Sequence, residues 1–205
     1  YDLEGSDKMQ ILKLLTRLRQ LCLEPRLVYD NIDQPSSKLK ACMELIKTMQ
    51  ENKQKVLLFS SFTSVLDLIA EECQKAGITY YMLTGSTNKE DRRELVSRFQ
   101  KDDTTVFLIS LKAGGTGLNL TSAEAVIHFD PWWNVSAQNQ ATDRAYRIGQ
   151  KNNVQVFNLV MKDSVEEKII ELQKRKKELA DMFVENNSGG LSQMSKEDIL
   201  SLFTM

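Results

Sequence analysis

Apolar residues in the first quarter of the chain recur at helical spacing. Ile11, Leu15, Leu18 and Cys22 predict an amphipathic helix over 6–23, and Leu39, Met43 and Ile46 predict a second over about 37–52. From Lys55 onward the pattern changes to short apolar runs separated by helical stretches. Residues 56–59, 80–83, 106–109, 125–129 and 154–157 read as five strands. The unbroken apolar character of Val56-Leu57-Leu58-Phe59 marks a strand covered on both faces. One intervening helix carries Leu66, Ile69 and Cys73 and is stopped by Gly77. Another turns Leu95, Val96 and Phe99 inward and opens on a Thr87/Glu90 capping box. Ser164 and Glu167 make a similar box at the head of a long charged helix that runs to about Val184. Ser188-Gly189-Gly190 then reads as a joint, and 195–203 as a short last helix.

Strands alternating with helices predict an α/β fold: a parallel sheet with right-handed crossovers and helices on both faces. The expected organisation is N-terminal helices over 1–54, the sheet-bearing lobe over 55–163 and a helical extension over 164–205. Ligands of such sheets bind beyond the carboxyl ends of the strands. Segments 60–63, 110–119 and 130–134 fall there, and they are the segments richest in candidate chemistry.

Composition narrows the function classes. The chain has 205 residues, 41% hydrophobic content and a formal net charge of -1, so any nucleic-acid surface must be a local patch. No apolar run is long enough for a membrane helix, and the start does not read as a signal peptide. A chain opening on Tyr1 reads as a piece of a longer protein. Cys22, Cys42 and Cys73 sit in apolar helical patterns and read as buried thiols of a reducing compartment.

Three motifs stand out. Over 136–148 a helix is expected, with Ala137, Ala141, Ala145 and Ile148 as a small-residue seam and Gln140, Arg144 and Arg147 on an adjoining stripe. Two guanidiniums side by side suit a phosphate, because each is a rigid, permanently charged fork. A solvated face with Asp143 as local partner is the other reading, and spacing leaves both open. The glycine-rich 110–120 segment allows close backbone approach to a phosphate or sugar, or serves as a tight turn. It is not a Walker A loop, since no Gly-Lys-Ser/Thr follows, and it makes a poor dinucleotide fingerprint. In Phe129-Asp130-Pro131-Trp132-Trp133-Asn134 two tryptophans follow a strand, where aromatics stack on bases or pack beneath the loop. His128 reads as a core histidine, and Lys174–Lys177 as the wet face of a helix.

Gln140-Ala141-Thr142-Asp143-Arg144-Ala145-Tyr146-Arg147-Ile148-Gly149-Gln150 resembles the sixth motif of the Swi/Snf-type ATPases of helicase superfamily two. Segment 110–120 is similar to that family's fifth motif, 59–64 to its fourth, and 83–87 with Arg92 to the one after it. The resemblance runs from about Leu15 to the last helix. It implies a RecA-like second lobe that meets ATP across a cleft from a first lobe bearing the Walker motifs. It further implies that Arg144 and Arg147 are arginine fingers, and that Gly115, Gly117, Asn119 and Gln140 lie near the nucleotide. Ser61, Gly85, Ser86, Thr87, Ser110, Lys112 and Trp133 would grip double-stranded DNA. ATP and Mg2+ would be held mainly by the first lobe, with no metal in this one. The sequence departs from the family pattern at Ser61, Thr84, Val135 and Tyr146.

The expected partners are duplex DNA, the first lobe of the same protein and a DNA-bound protein target, with no membrane. The compact motif spacing is closer to bacterial members, implying a cytoplasmic protein; a eukaryotic one would be nuclear. The expected function is a DNA translocase or remodeller whose ATPase needs both lobes, so that this piece alone is inactive. An RNA or single-strand helicase of the same superfamily, or a non-catalytic interaction module of the same fold, are the alternatives.

Overall fold

The computed structural model describes residues 5–114, 118–146 and 153–185. It divides into two compact units, 1–169 and 170–205. The first contains a five-stranded, wholly parallel sheet. Its strands are β1 (Val56–Ser60), β2 (Tyr80–Leu83), β3 (Val106–Ser110), β4 (Ala125–His128) and β5 (Gln155–Asn158), in spatial order β2-β3-β1-β4-β5. The helices are α1 (Gly5–Leu23), α2 (Ser37–Glu51), α3 (Thr63–Lys75), α4 (Lys89–Lys101), the single turn α5 (Leu111–Gly114), α6 (Val135–Thr142) and α7 (Val165–Glu185). The second unit begins within α7, where Lys174–Lys177 are exposed. Residues 186–205, and with them the expected joint and last helix, lie outside the described residues.

β1 occupies the centre because every one of its side chains is apolar or small, and all five residues are buried. Alternation along the strand sends Val56 and Leu58 to one face and Leu57 and Phe59 to the other. Val56 and Leu58 join Leu23 of α1, Leu39, Cys42 and Ile46 of α2 and Leu66, Ile69 and Cys73 of α3 in one core. Leu57 and Phe59 pack with Phe99 of α4, Phe107, Val126, Ala141 and Ala145 in the other. Helices therefore cover both faces, and the N-terminal pair shares the core of the sheet. Burial pushes the Cys73 thiol up to about 12 and raises Cys42 as well, while Cys22 is half-buried.

Helix ends follow local chemistry. Gly77 takes φ +68 after α3, and the Ile78 and Gly77 amides donate to the Cys73 and Gln74 carbonyls, a Schellman stop that a Cβ would strain. The start of α4 differs from expectation. Asn88, not Thr87, is the cap, its Oδ1 accepting from the Glu90 and Asp91 amides, while Thr87 Oγ1 accepts from the Thr84 amide inside the preceding turn. At α7 the box is shifted: Ser164 Oγ accepts from Glu166 N–H, but Glu167 reaches back to Asp163 N–H. In α1 the inward face is also rotated from the expected stripe. Leu18 is 48% exposed, and Arg19, at 7%, takes the inward place. Among the described residues no helix is long and apolar enough to cross a membrane, and no cluster of His, Cys, Asp and Glu could hold a metal ion.

Candidate functional site

The parallel register sets Ser60 level with Ser110, and Phe59 level with His128. Three strand ends therefore release their loops at one edge of the sheet, where neighbouring chains leave on either side of β1. At the β1–β4 end, Asp130 is 1% exposed. Its Oδ1 accepts from Ser60 Oγ at 2.7 Å and Ser61 N–H at 3.0 Å, and its Oδ2 accepts from Arg19 Nη2 at 2.9 Å and from the Ser61 hydroxyl. Arg19 Nη2 also donates to Ser61 Oγ at 2.9 Å and to the Pro131 carbonyl at 3.2 Å. The same guanidinium lies over Phe62, Trp132 and Trp133, 4.9, 5.6 and 6.0 Å from their ring centroids. Ser61 is thus engaged within the lobe. Trp132 packs against the core, and Trp133 is half-buried.

At the β3 end, Ser110 is buried at 5% exposure and Lys112 of α5 is exposed. Gly115 and Gly117 lie outside the described residues. Asn119 is exposed, and its carbonyl accepts from Gln100 Nε2 at 2.8 Å while Gln100 Oε1 accepts from Ser122 N–H at 3.0 Å, so α4 clamps the end of the glycine segment. Arg92 Nη1 donates to the Ala113 carbonyl at 3.3 Å, clamping its beginning. Between these clamps runs a groove of about 680 Å³ lined by Thr87, Lys89, Arg92, Arg93, Leu118 and Asn119, among others. Gly85 and Ser86 are exposed beside it in sequence, and open space surrounds the position a Gly85 Cβ would take. The Ser86 hydroxyl is 2.8 Å from that of Thr84.

The third segment departs most from expectation. The helix predicted over 136–148 ends at Thr142, and 143–145 form turns. Ala141 and Ala145 are buried as expected, at 3% and 0% exposure, because the turns keep the chain winding, with Arg144 and Ala145 N–H bonded three residues back to the Ala141 and Thr142 carbonyls, and press small residues on the sheet. Gln140 is exposed. Arg144 is 3% exposed, and its carbonyl accepts from Leu120 N–H at 3.0 Å, joining this segment to the end of the glycine segment. Arg147 lies outside the described residues. The side-by-side helical stripe of Gln140, Arg144 and Arg147 is therefore not how the chain presents the first two.

His128 is a core residue, 2% exposed and stacked on Phe59 at 5.6 Å. Its Nε2 is 2.8 Å from Thr142 Oγ1, and burial pushes its pKa down to about 4. Sequence reasoning missed Arg19, Gln100 and Gln138, the last accepting from Trp132 N–H and donating to Asn158 Oδ1. A charged residue one turn after Leu15 on an otherwise apolar stripe was the available signal for Arg19. The two glutamines carried none.

The helicase conserved C-terminal domain model matches residues 37–149. The chain is 38% identical over 202 residues to an uncharacterized ATP-dependent helicase of Mycoplasma pneumoniae, covering 98% of this chain and 20% of that protein. It is 37% identical over 205 residues to the putative ATP-dependent helicase/translocase YwqA of Bacillus subtilis, covering 97% of this chain and 22% of that protein. The chain thus spans about a fifth of the length of these relatives. Among solved structures, the Sulfolobus solfataricus SWI2/SNF2 ATPase core in complex with dsDNA matches with a TM-score of 0.73 and 31% identity, over 98% of this chain and 43% of that one.

Proposed function

Because this chain belongs to the helicase conserved C-terminal domain family, as the RecA-like C-terminal lobe of a Swi/Snf-type ATP-dependent helicase, we propose that the intact protein couples ATP hydrolysis to travel along double-stranded DNA. ATP supplies the chemistry when bound between the lobes: loss of its γ-phosphoryl group to water, with Mg2+ neutralising charge. This lobe contributes Arg144 and Arg147 as fingers for the phosphate, with Gly115, Gly117, Asn119 and Gln140 beside the nucleotide. Gly85, Ser86, Thr87, Ser110, Lys112 and Trp133 hold the phosphate backbone of one strand, a contact independent of base sequence, and Ser61 joins them by exchanging its hydroxyl bond to Asp130 for one to phosphate.

The observation that carries this reading is the convergence of three loops at the β3–β1–β4 carboxyl edge, in a chain whose structural relative is a SWI2/SNF2 ATPase core in complex with dsDNA. Two features set conditions on it. Arg144 is covered within its own lobe, so a role as a finger requires its side chain to turn outward when the first lobe closes. The Asp130 carboxylate is fully engaged by Arg19, Ser60 and Ser61, so it offers Mg2+ no ligand, in keeping with the assignment of that ion to the first lobe. A DNA-bound protein is the proposed target of the motor.

The test compares hydrolysis by the 205-residue chain with that by a protein containing both lobes, each with duplex DNA, single-stranded DNA and RNA. Turnover confined to the two-lobe protein and stimulated by duplex DNA is expected. Turnover by the single lobe would refute the shared site, and preferential stimulation by RNA or single strands would replace the duplex assignment.

A further inference from the structure

We infer that Arg19 is a positioning residue that holds the 60–62 and 130–133 loops in register with one another; that these loops face duplex DNA rests on the function proposed above. Arg19 lies on α1, outside the 37–149 span matched by the helicase C-terminal model, yet its side chain reaches the edge where β1 and β4 end. One nitrogen, Nη2, serves acceptors on both loops: Ser61 Oγ and Asp130 Oδ2 at 2.9 Å, and the Pro131 carbonyl at 3.2 Å. The guanidinium carbon lies over the rings of Phe62 of the first loop and Trp132 and Trp133 of the second. The planar, delocalised cation is suited to both tasks at once, donating in its plane and stacking on rings above it.

The electrostatics make the arrangement mutual. Asp130 is 1% exposed, and Arg19 is its ion-pair partner at 2.9 Å. A buried carboxylate stripped of its cation is strongly disfavoured. Ser60 and Ser61 also bind Asp130 directly, so the guanidinium acts by keeping that shared carboxylate charged and in place and by tying Pro131 to Ser61. Ser61 and Trp133, both assigned to the DNA grip, are touched directly by this side chain.

The chain has two tryptophans, Trp132 and Trp133, so its indole fluorescence reports on this loop alone. Arg19→Lys retains a cation for Asp130 but lacks the fork and the flat face. A double variant, Arg19→Met with Asp130→Asn, removes both charges together and keeps an acceptor for Ser60 and Ser61. Both are compared with the unaltered chain by thermal melting, acrylamide quenching of indole emission, and anisotropy titration of a labelled duplex. With helical content intact, quenching is expected to rise about two-fold in each folded variant as stacking and the Pro131 bond are lost. Duplex affinity is expected to fall about ten-fold as the two grips lose their alignment. Unchanged quenching in a folded variant overturns the inference. Raised quenching with unchanged duplex affinity supports Arg19 as the organiser of the loops and removes them from the DNA face. An unaltered chain that binds no duplex, alone or joined to its first lobe, sinks the functional reading, and quenching still decides the role of Arg19.

Discussion

Lys38 and Glu166 meet across 128 residues of chain, with Lys38 Nζ 2.6 Å from both carboxylate oxygens of Glu166. Both are buried, at 6% and 1% exposure, and the ammonium lies over the Phe129 ring. Glu166 also accepts from Met161 N–H, so the first turn of α7 is tied both to α2 and to the loop before it. Removing one partner leaves a charge in an apolar setting. Glu166→Ala is expected to cost roughly 3–5 kcal/mol in urea unfolding, whereas Lys38→Met combined with Glu166→Gln recovers most of that. Equal losses in the single and double variants would show that the pairing is not what matters.

His128 makes stability depend on pH. Its folded pKa of about 4 lies below the ordinary 6.5 because burial disfavours the imidazolium. Between these values the unfolded chain takes up a proton that the folded chain refuses, so this contribution is complete above pH 6.5 and is lost as pH falls toward 4. The histidine is expected to account for roughly 3 kcal/mol of the loss over that window. It is the single histidine of the chain. His128→Gln, measured by urea unfolding at neutral pH and near pH 4, should lose correspondingly less than the parent; parallel losses would count against the assignment.

The two candidate caps of α4 are separable. Asn88→Ala removes the acceptor of two amides and is expected to lower stability by about 1 kcal/mol. Thr87→Ala breaks the bond to Thr84 N–H in an exposed turn and should cost clearly less. The reverse order in denaturant midpoints would return the cap to Thr87.

For Arg144, hydrolysis by the two-lobe protein is the measurement that matters. Arg144→Ala is expected to reduce single-turnover hydrolysis by about 10³-fold or more while nucleotide binding persists, and Arg144→Lys should not restore it, since an ammonium lacks the bidentate fork. Residual hydrolysis near the parent rate would assign the buried guanidinium to architecture alone.

The sheet was legible because a parallel strand buried on both faces writes itself as an uninterrupted apolar run, and β1 and β3 are of that kind. The edge strand β5 is mostly exposed, and its bounds shifted by one residue. The end of α6 differs because Ala145 is buried whether it lies in a helix or in the tighter turns that follow, so seam periodicity cannot mark where regular helix gives way to turns. Thr87 and Asn88 are adjacent residues with competent caps, and sequence does not choose between them. Arg19 escaped notice because its partner Asp130 lies 111 residues away, and a single cation on an apolar stripe gives no hint of what it will meet. The family resemblance rested on short ordered motifs, which survive such errors in local detail.

The strand order has a bearing on how the chain is made. β1 is translated before both of its neighbours, β3 and β4, and β3 comes only after α3, β2 and α4. Until they arrive, Val56-Leu57-Leu58-Phe59 has no native strand to pair with, the kind of segment that invites self-association. Fragments cut before Ser110 should accordingly be prone to aggregate, and those reaching past His128 should be the first in which the central strand has both of its neighbours.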